Sequence, residues 1–175
     1  MAHLRQPLRS GFVIEPLNRK HDRISFTCGI DVLDHYLRTI ASQDVAKNAA
    51  VCFVLTPDGT TIAGFYTLSQ YSVHLNDLPT AIAKKLPRYP EVPSTLLGRL
   101  AVASQFRGLQ LGELQLLDAL HRSWVQSQQI ASAAVVVDAK DERARTFYEH
   151  FGFIALPNVP DRLYLPMKTI AQLFG

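Results

Sequence analysis

The stretch from Thr95 to Val137 constrains the fold more than any other part of the chain. A β-rich run, Thr95–Val102, crosses a polar turn into a segment from about Leu111 to Gln128. There Leu114, Leu117, Leu120 and Trp124 recur at helical spacing, and the apolar run Ala133–Val137 follows. Strand, helix and strand in that order predict a right-handed parallel crossover, because the other hand seldom packs its helix back onto the sheet.

The flanking segments extend this unit into a mixed α/β sheet. Phe12-Val13-Ile14, before Pro16, reads as a short strand. Asp31 opens a helix in which Leu33, Tyr36, Leu37, Ile40 and Ala41 follow the i, i+3, i+4, i+7, i+8 pattern of one buried face. Val51–Thr56 and Thr61–Val73, joined by Pro57-Asp58-Gly59, predict an antiparallel hairpin whose second strand is long and central. Asn76-Asp77-Leu78-Pro79 starts a further helix, whereas the prolines of Leu86–Pro93 remove backbone donors and predict a loop. Glu142–Phe151 is a helix closed by a left-handed Gly152, and Phe153–Leu156 and Leu163–Met167 supply two last strands. The expected fold is a twisted mixed sheet of about six to seven strands, antiparallel in the N-terminal half, in a single domain over residues 1–175.

Composition excludes several classes. With 47% apolar and 19% charged residues the chain can offset its ordering entropy by burial, which excludes wholesale disorder. Two distant cysteines, Cys28 and Cys52, read as buried thiols and give no zinc spacing, so no metal is expected. No apolar run reaches the roughly 18 residues of a membrane span. The opening MAHLRQPLRS has no apolar core behind its basic residues, so no secretory signal is read and the cytoplasm is the expected compartment. The net charge of +3 is clustered at Arg19-Lys20-His21 with Arg23, and at Lys84, Lys85 and Arg88, as suits either a polyanion or a solvated face.

Between the predicted strand and helix lies Gln105-Phe106-Arg107-Gly108-Leu109-Gln110-Leu111-Gly112. A glycine-bearing turn into a helix N-terminus leaves backbone N–H groups free for a pyrophosphate. It is neither a P-loop nor a Gly-x-Gly-x-x-Gly turn. Taken alone, the segment reads as an anion site or as an ordinary turn.

The segment Arg107-x-x-Gln110-x-Gly112 resembles the acetyl-CoA loop of the GNAT N-acetyltransferase superfamily, with Gln110 where that pattern has glycine. The resemblance extends through Phe26-Thr27-Cys28-Gly29, Leu33-Asp34-His35-Tyr36-Leu37, Pro87–Pro93 with Leu97-Gly98-Arg99-Leu100-Ala101-Val102, Val137-Asp138-Ala139-Lys140 and Phe147-Tyr148-Glu149-His150-Phe151-Gly152-Phe153. Together these are similar to the acetyltransferase toxins of bacterial toxin–antitoxin pairs. That resemblance implies transfer of acetyl from acetyl-CoA to the α-amino group of aminoacyl-tRNA, arrest of translation, and a ribbon-helix-helix antitoxin as partner, with a homodimer as a further expectation. It implies that the backbone of Leu100, Ala101 and Val102 pairs with the pantetheine arm and that Arg107, Gly108, Leu109, Gln110, Leu111 and Gly112 hold the pyrophosphate. Asp138 and Phe147 complete the cofactor-binding set, and Tyr148 sits by the sulfur.

The chemistry needs a neutral amine, a polarised carbonyl and a proton for the departing thiolate. Tyr148 is the candidate donor, and a core aromatic is the alternative. Glu91 and His74 are the only nominated bases. An α-amine of pKa about 7.7–8.0 already has a neutral fraction near pH 7, so a base is not essential. Arg88, Tyr89 and Arg99 are the candidates for gripping the acceptor end of tRNA, with a loop charge and an ion pair as the alternatives for the two arginines. Asp138, beside Lys140, reads equally as a helix cap. The competing functions are acetylation of a small amine or protein terminus, and a non-catalytic acyl-CoA- or RNA-binding module.

Overall fold

A computed structural model describes residues 11–175, so the expectation placed on the first ten residues lies outside the described residues. Seven strands form one mixed sheet in the order β1-β2-β3-β4-β5-β7-β6. They are β1 (Val13–Pro16), β2 (Val51–Thr56), β3 (Gly64–His74), β4 (Glu91–Val102), β5 (Ala134–Asp138), β6 (Ile154–Leu156) and β7 (Val159–Pro166). The helices are α1 (Asp31–His35), α2 (Ala41–Ala46), α3 (Thr80–Ala83), α4 (Leu111–Ser127), α5 (Glu142–His150) and α6 (Met167–Phe174). The described residues divide into two compact units, residues 11–68 with 99–119, and residues 69–98 with 120–175.

In the first unit, β2 pairs antiparallel with both β1 and β3. The β2–β3 turn is organised by Asp58, whose carboxylate accepts the Thr60 and Thr61 N–H groups at 2.9 and 2.7 Å. Those bonds hold its carboxyl down to about 2. They also engage Thr61, and β3 accordingly begins at Gly64 rather than Thr61. The core of this unit gathers Phe26, Tyr36, Leu37, Cys52, Val54, Phe65 and Ala101. Each large side chain removed from water there contributes about 1.5–3 kcal/mol.

The helix expected from Asp31 is interrupted, because Tyr36–Ile40 takes a π-helical turn between α1 and α2. The wider turn keeps Tyr36, Leu37 and Ala41 buried and rotates Ile40 out to 38% exposure. The regular-helix spacing therefore placed Ile40 wrongly. On α4 the buried positions are Leu111, Gln115, Leu116, Ala119, Leu120 and Ser123, while Leu114, Leu117 and Trp124 are half-buried. Reading only the leucines rotated the predicted face, since Gln115 lies at its centre.

In the second unit, β4 pairs parallel with β5 over Thr95–Leu97, the crossover expected from the sequence. β7 lies between β5 and β6, antiparallel to each. β4 starts at Glu91, so Val92 and Pro93 are strand and not loop. Proline is tolerated there because the first residues of a strand need not donate. Asp141 caps α5 by accepting the Ala144 N–H at 2.8 Å, which is the role Asp138 was offered. Gly152, at φ +94°, ends the same helix as expected. α6 was not expected from the sequence; it starts where the last strand was expected to end and buries Met167 and Ile170.

Candidate functional site

In the first unit the strand end Leu100–Val102 leads through a 3-10 turn, Ser104–Phe106, into the loop Arg107–Gln110 and the first turn of α4. Two of the loop's residues have positive φ, Gly108 at +83° and Gln110 at +58°. An added Cβ at Gly108 would meet no atom within 4 Å. Gln110 thus carries the left-handed backbone that a glycine would adopt without strain. Its carbonyl accepts the Leu114 N–H at 3.3 Å, closing the first turn of α4. Gly108, Leu109 and Gln110 are exposed, Leu111 is buried and Gly112 is half-buried. A glycine-like backbone leading into a 17-residue helix suits a diphosphate, whose charge meets the helix N-terminus.

Arg107 has a further occupation. Its guanidinium donates to the Cys28 carbonyl at 2.7 Å, while the Ser104 N–H donates to the Thr27 carbonyl at 2.9 Å. Asp34 holds the same Thr27–Gly29 bend from α1, accepting the Cys28 N–H at 2.8 Å and the Thr27 hydroxyl at 3.1 Å. Burial opposes the Asp34 charge, but these donors outweigh it and keep the carboxyl below its ordinary range. The sequence signals for this tie, Thr27-Cys28 seven and six residues before Asp34, are visible only once the bend is known.

Arg99 is half-buried, with its guanidinium carbon 3.6 Å from the centre of the Tyr36 ring. Tyr36 donates to Asp44 at 2.9 Å, and burial with that bond raises its phenol far above the ordinary range. Cys52 is also buried, which pushes its thiol up to about 12 against the pull of Arg99. Both cysteines are buried thiols, as expected.

The second unit holds the remaining candidates. Tyr148, on α5, is 8% exposed and packs its ring against Phe147 and Phe153 at centroid distances of 5.2 and 5.4 Å. Burial raises its phenol well beyond its ordinary value, so it stays protonated at any cellular pH. Asp138, at the end of β5, accepts a two-pronged pair from Arg162 at 2.8 and 3.2 Å, and Arg162 lies 5.1 Å from the Tyr71 ring centre. Lys140 is exposed. Arg88 and Tyr89 stand on the exposed loop before β4, with Tyr89 71% exposed. His74 and Glu91, the two nominated bases, form one exposed pair at 3.2 Å.

The basic clusters differ in use. His21 is buried and bonds Glu15 at 2.7 Å, with Lys20 on the same oxygen at 3.0 Å, so part of the first cluster is internal pairing. Lys84, Lys85 and Arg88 are exposed.

A model of the acetyltransferase (GNAT) domain family matches residues 92–162. The probable toxin TacT of Sinorhizobium fredii (strain NBRC 101917 / NGR234) is 33% identical over 172 residues, covering 93% of this chain and 95% of that one. The tRNA-acetylating toxin of Mycobacterium tuberculosis (strain ATCC 25618 / H37Rv) is 38% identical over 154 residues, covering 88% and 91%. Among solved structures, AtaT complexed with acetyl-methionyl-tRNAfMet superposes with a TM-score of 0.87 at 29% identity, over 94% of this chain and 99% of that one. A tyrosine-to-phenylalanine mutant of AtaT bound to the C-terminus of the antitoxin AtaR and acetyl-CoA gives 0.81 at 25% identity, over 94% and 98%.

Proposed function

The chain belongs to the GNAT acetyltransferases, and from that membership we propose that it is an acetyl-CoA-dependent toxin that acetylates the α-amino group of aminoacyl-tRNA and blocks translation. One observation carries the reading. A strand–loop–helix turn shaped for a pyrophosphate stands in a chain that aligns with a tRNA-acetylating toxin over 88% of its length and with the probable toxin TacT over 93%. The positive φ of Gln110 speaks against a non-catalytic module, because the loop keeps its glycine-like path without the glycine.

In this reading Leu100–Val102 pair with the pantetheine arm, Arg107–Gly112 hold the pyrophosphate, and Asp138 and Phe147 complete the donor site. Arg88, Tyr89 and Arg99 receive the acceptor end of the tRNA. The α-amine nitrogen attacks the thioester carbonyl, the N–C bond forms, the C–S bond breaks and the thiolate leaves. The thiolate's conjugate acid has a pKa of about 8.5, far below the raised phenol of Tyr148. Full loss of the phenolic proton is therefore uphill, so Tyr148 keeps its proton and donates a hydrogen bond to the departing sulfur, and the proton that the attacking nitrogen sheds on becoming an amide ends on the thiolate.

Three finer features follow from the same reading: a ribbon-helix-helix antitoxin as partner, a homodimer, and action in the cytoplasm, where charged tRNA is found. No helix among the described residues is long and apolar enough to cross a membrane. The deciding experiment incubates the protein with acetyl-CoA and charged tRNA and weighs the released amino acid by mass spectrometry, where an acetyl group on the α-amine is expected. Efficient acetylation of a polyamine or peptide terminus, with charged tRNA untouched, would replace the toxin reading by a general acetyltransferase.

A further inference from the structure

Gln115 is a polar side chain with no exposed surface, on the inner face of α4 one turn after Leu111. Its Nε2 donates to the Ala101 carbonyl at 3.0 Å, and its Oε1 has no partner among the described residues. A half-satisfied buried amide is costly for a core position that a leucine or methionine would fill. The surroundings are built for it nonetheless. At Gly64 a Cβ would lie 2.7 Å from Gln115 Oε1 and 2.8 Å from the Ala101 oxygen, so any larger residue on β3 would expel the amide.

The Ala101 carbonyl consequently points toward Gly64 on β3. In an extended strand a residue's N–H and C=O face the same edge, and those of its two neighbours face the other. With Ala101 committed to the β3 side, Leu100 and Val102 turn their backbone groups to the opposite edge. The amide that fixes this orientation comes from the helix whose first turn carries the phosphate loop.

We propose that Gln115 is a positioning residue for the acetyl donor. By holding the Ala101 carbonyl it narrows the three-residue strand contact proposed above to Leu100 and Val102, turning Ala101 away from the pantetheine arm, and it ties that strand to the helix at the pyrophosphate. The inference rests on the acetyl-CoA reading above and concerns how the donor is gripped.

Calorimetry with CoA on wild type, Gln115→Met and Gln115→Glu tests it without any tRNA. Gln115→Met should melt no lower than wild type, because the unpaired oxygen is gone, and should bind CoA about tenfold more weakly, a loss of about 1.4 kcal/mol. Gln115→Glu should bind weakly at about pH 8 and recover toward wild type near pH 6, since a buried carboxyl with a raised pKa regains a proton to donate to Ala101. If the wild type gave no CoA binding, the acetyl-CoA reading and this inference would fall together. Wild-type binding matched within about twofold by Gln115→Met would overturn the inference alone. So would a loss of affinity that merely follows a fall in melting temperature. Should the glutamate variant fail to fold, the methionine variant decides.

Discussion

Arg99 stacks its guanidinium on the ring of Tyr36, 3.6 Å from its centre, and Tyr36 passes the contact on to Asp44 through its hydroxyl. β4 is thereby fastened to the π-helical turn of the α1–α2 segment. A cation over a ring contributes about 0.5–2 kcal/mol, more where water is excluded. Arg99→Ala and Tyr36→Leu should each lower stability by about 1–2 kcal/mol in urea unfolding. The double variant should lose less than the sum, because each single change already removes the shared contact. Strict additivity would show that the stacking carries no energy, and Arg99 would then be left to its proposed tRNA contact.

At the phosphate loop, two neighbouring positions should respond differently. Gln110 holds φ +58° with a side chain, at an expense of about 1 kcal/mol that glycine would not incur. Gln110→Gly should therefore leave stability unchanged or raise it by up to about 0.5 kcal/mol after glycine's own entropy loss, with CoA affinity preserved. Gly108→Ala should cost about 1 kcal/mol although no atom lies within 4 Å of the new methyl, because φ +83° is strained for any side chain. Thermal melts of both variants measure this. A marked loss of CoA affinity in Gln110→Gly would make the glutamine side chain itself a ligand.

Much of this arrangement was legible beforehand because it is local. The β2–β3 hairpin follows from Pro57-Asp58-Gly59, and the parallel crossover from the order of three periodic segments. What escaped depends on partners distant in the chain. Nothing near Gln115 announces that a glycine 51 positions earlier makes room for it, and Arg107 finds the Cys28 carbonyl across 79 residues. The π turn at Tyr36–Ile40 escaped because a period of 3.6 was assumed throughout. Asp138 read equally as a helix cap, and only the folded chain shows that it pairs with Arg162 while Asp141 takes the Ala144 N–H.

Acid should loosen the first unit through Asp34. Its folded carboxyl lies below the ordinary value, so the unfolded chain takes up the proton first as pH falls. The stability it lends is fully present above the unfolded pKa of about 3.9 and disappears as pH falls through the lower folded value. Asp34→Asn should melt lower at pH 7 and show a shallower decline of melting temperature below about pH 4. Parallel acid limbs in the two proteins would place the acid sensitivity elsewhere.

Charge should govern the tRNA step more than the donor step. Lys84, Lys85 and Arg88 are exposed, and each phosphate they neutralise releases counterions, so tRNA affinity should fall steeply with salt. A donor held mainly by backbone N–H groups should depend less on ionic strength. Arg88→Ala should flatten the slope of log affinity against log salt by roughly one phosphate contact and leave CoA binding unchanged. An unchanged slope would remove Arg88 from the tRNA surface.

Tyr148→Phe removes one oxygen from a ring that is 8% exposed and packed between Phe147 and Phe153. Burial alone perturbs that hydroxyl and no hydrogen bond to it is formed among the described residues, so its loss leaves no orphaned partner and the melting temperature should stay within about 2 °C. CoA affinity should hold, because neither the loop nor the strand end is altered. Single-turnover acetyl transfer should fall by about 10²–10³-fold, the range for losing one hydrogen-bond donor to developing negative charge. The surviving rate carries its own test. In wild type the raised phenol keeps its proton, so the rate should rise through the pKa of the amine and then level, with no decline from Tyr148 below about pH 10. A phenylalanine variant as fast as wild type would make Tyr148 a core aromatic with no bond to the departing sulfur.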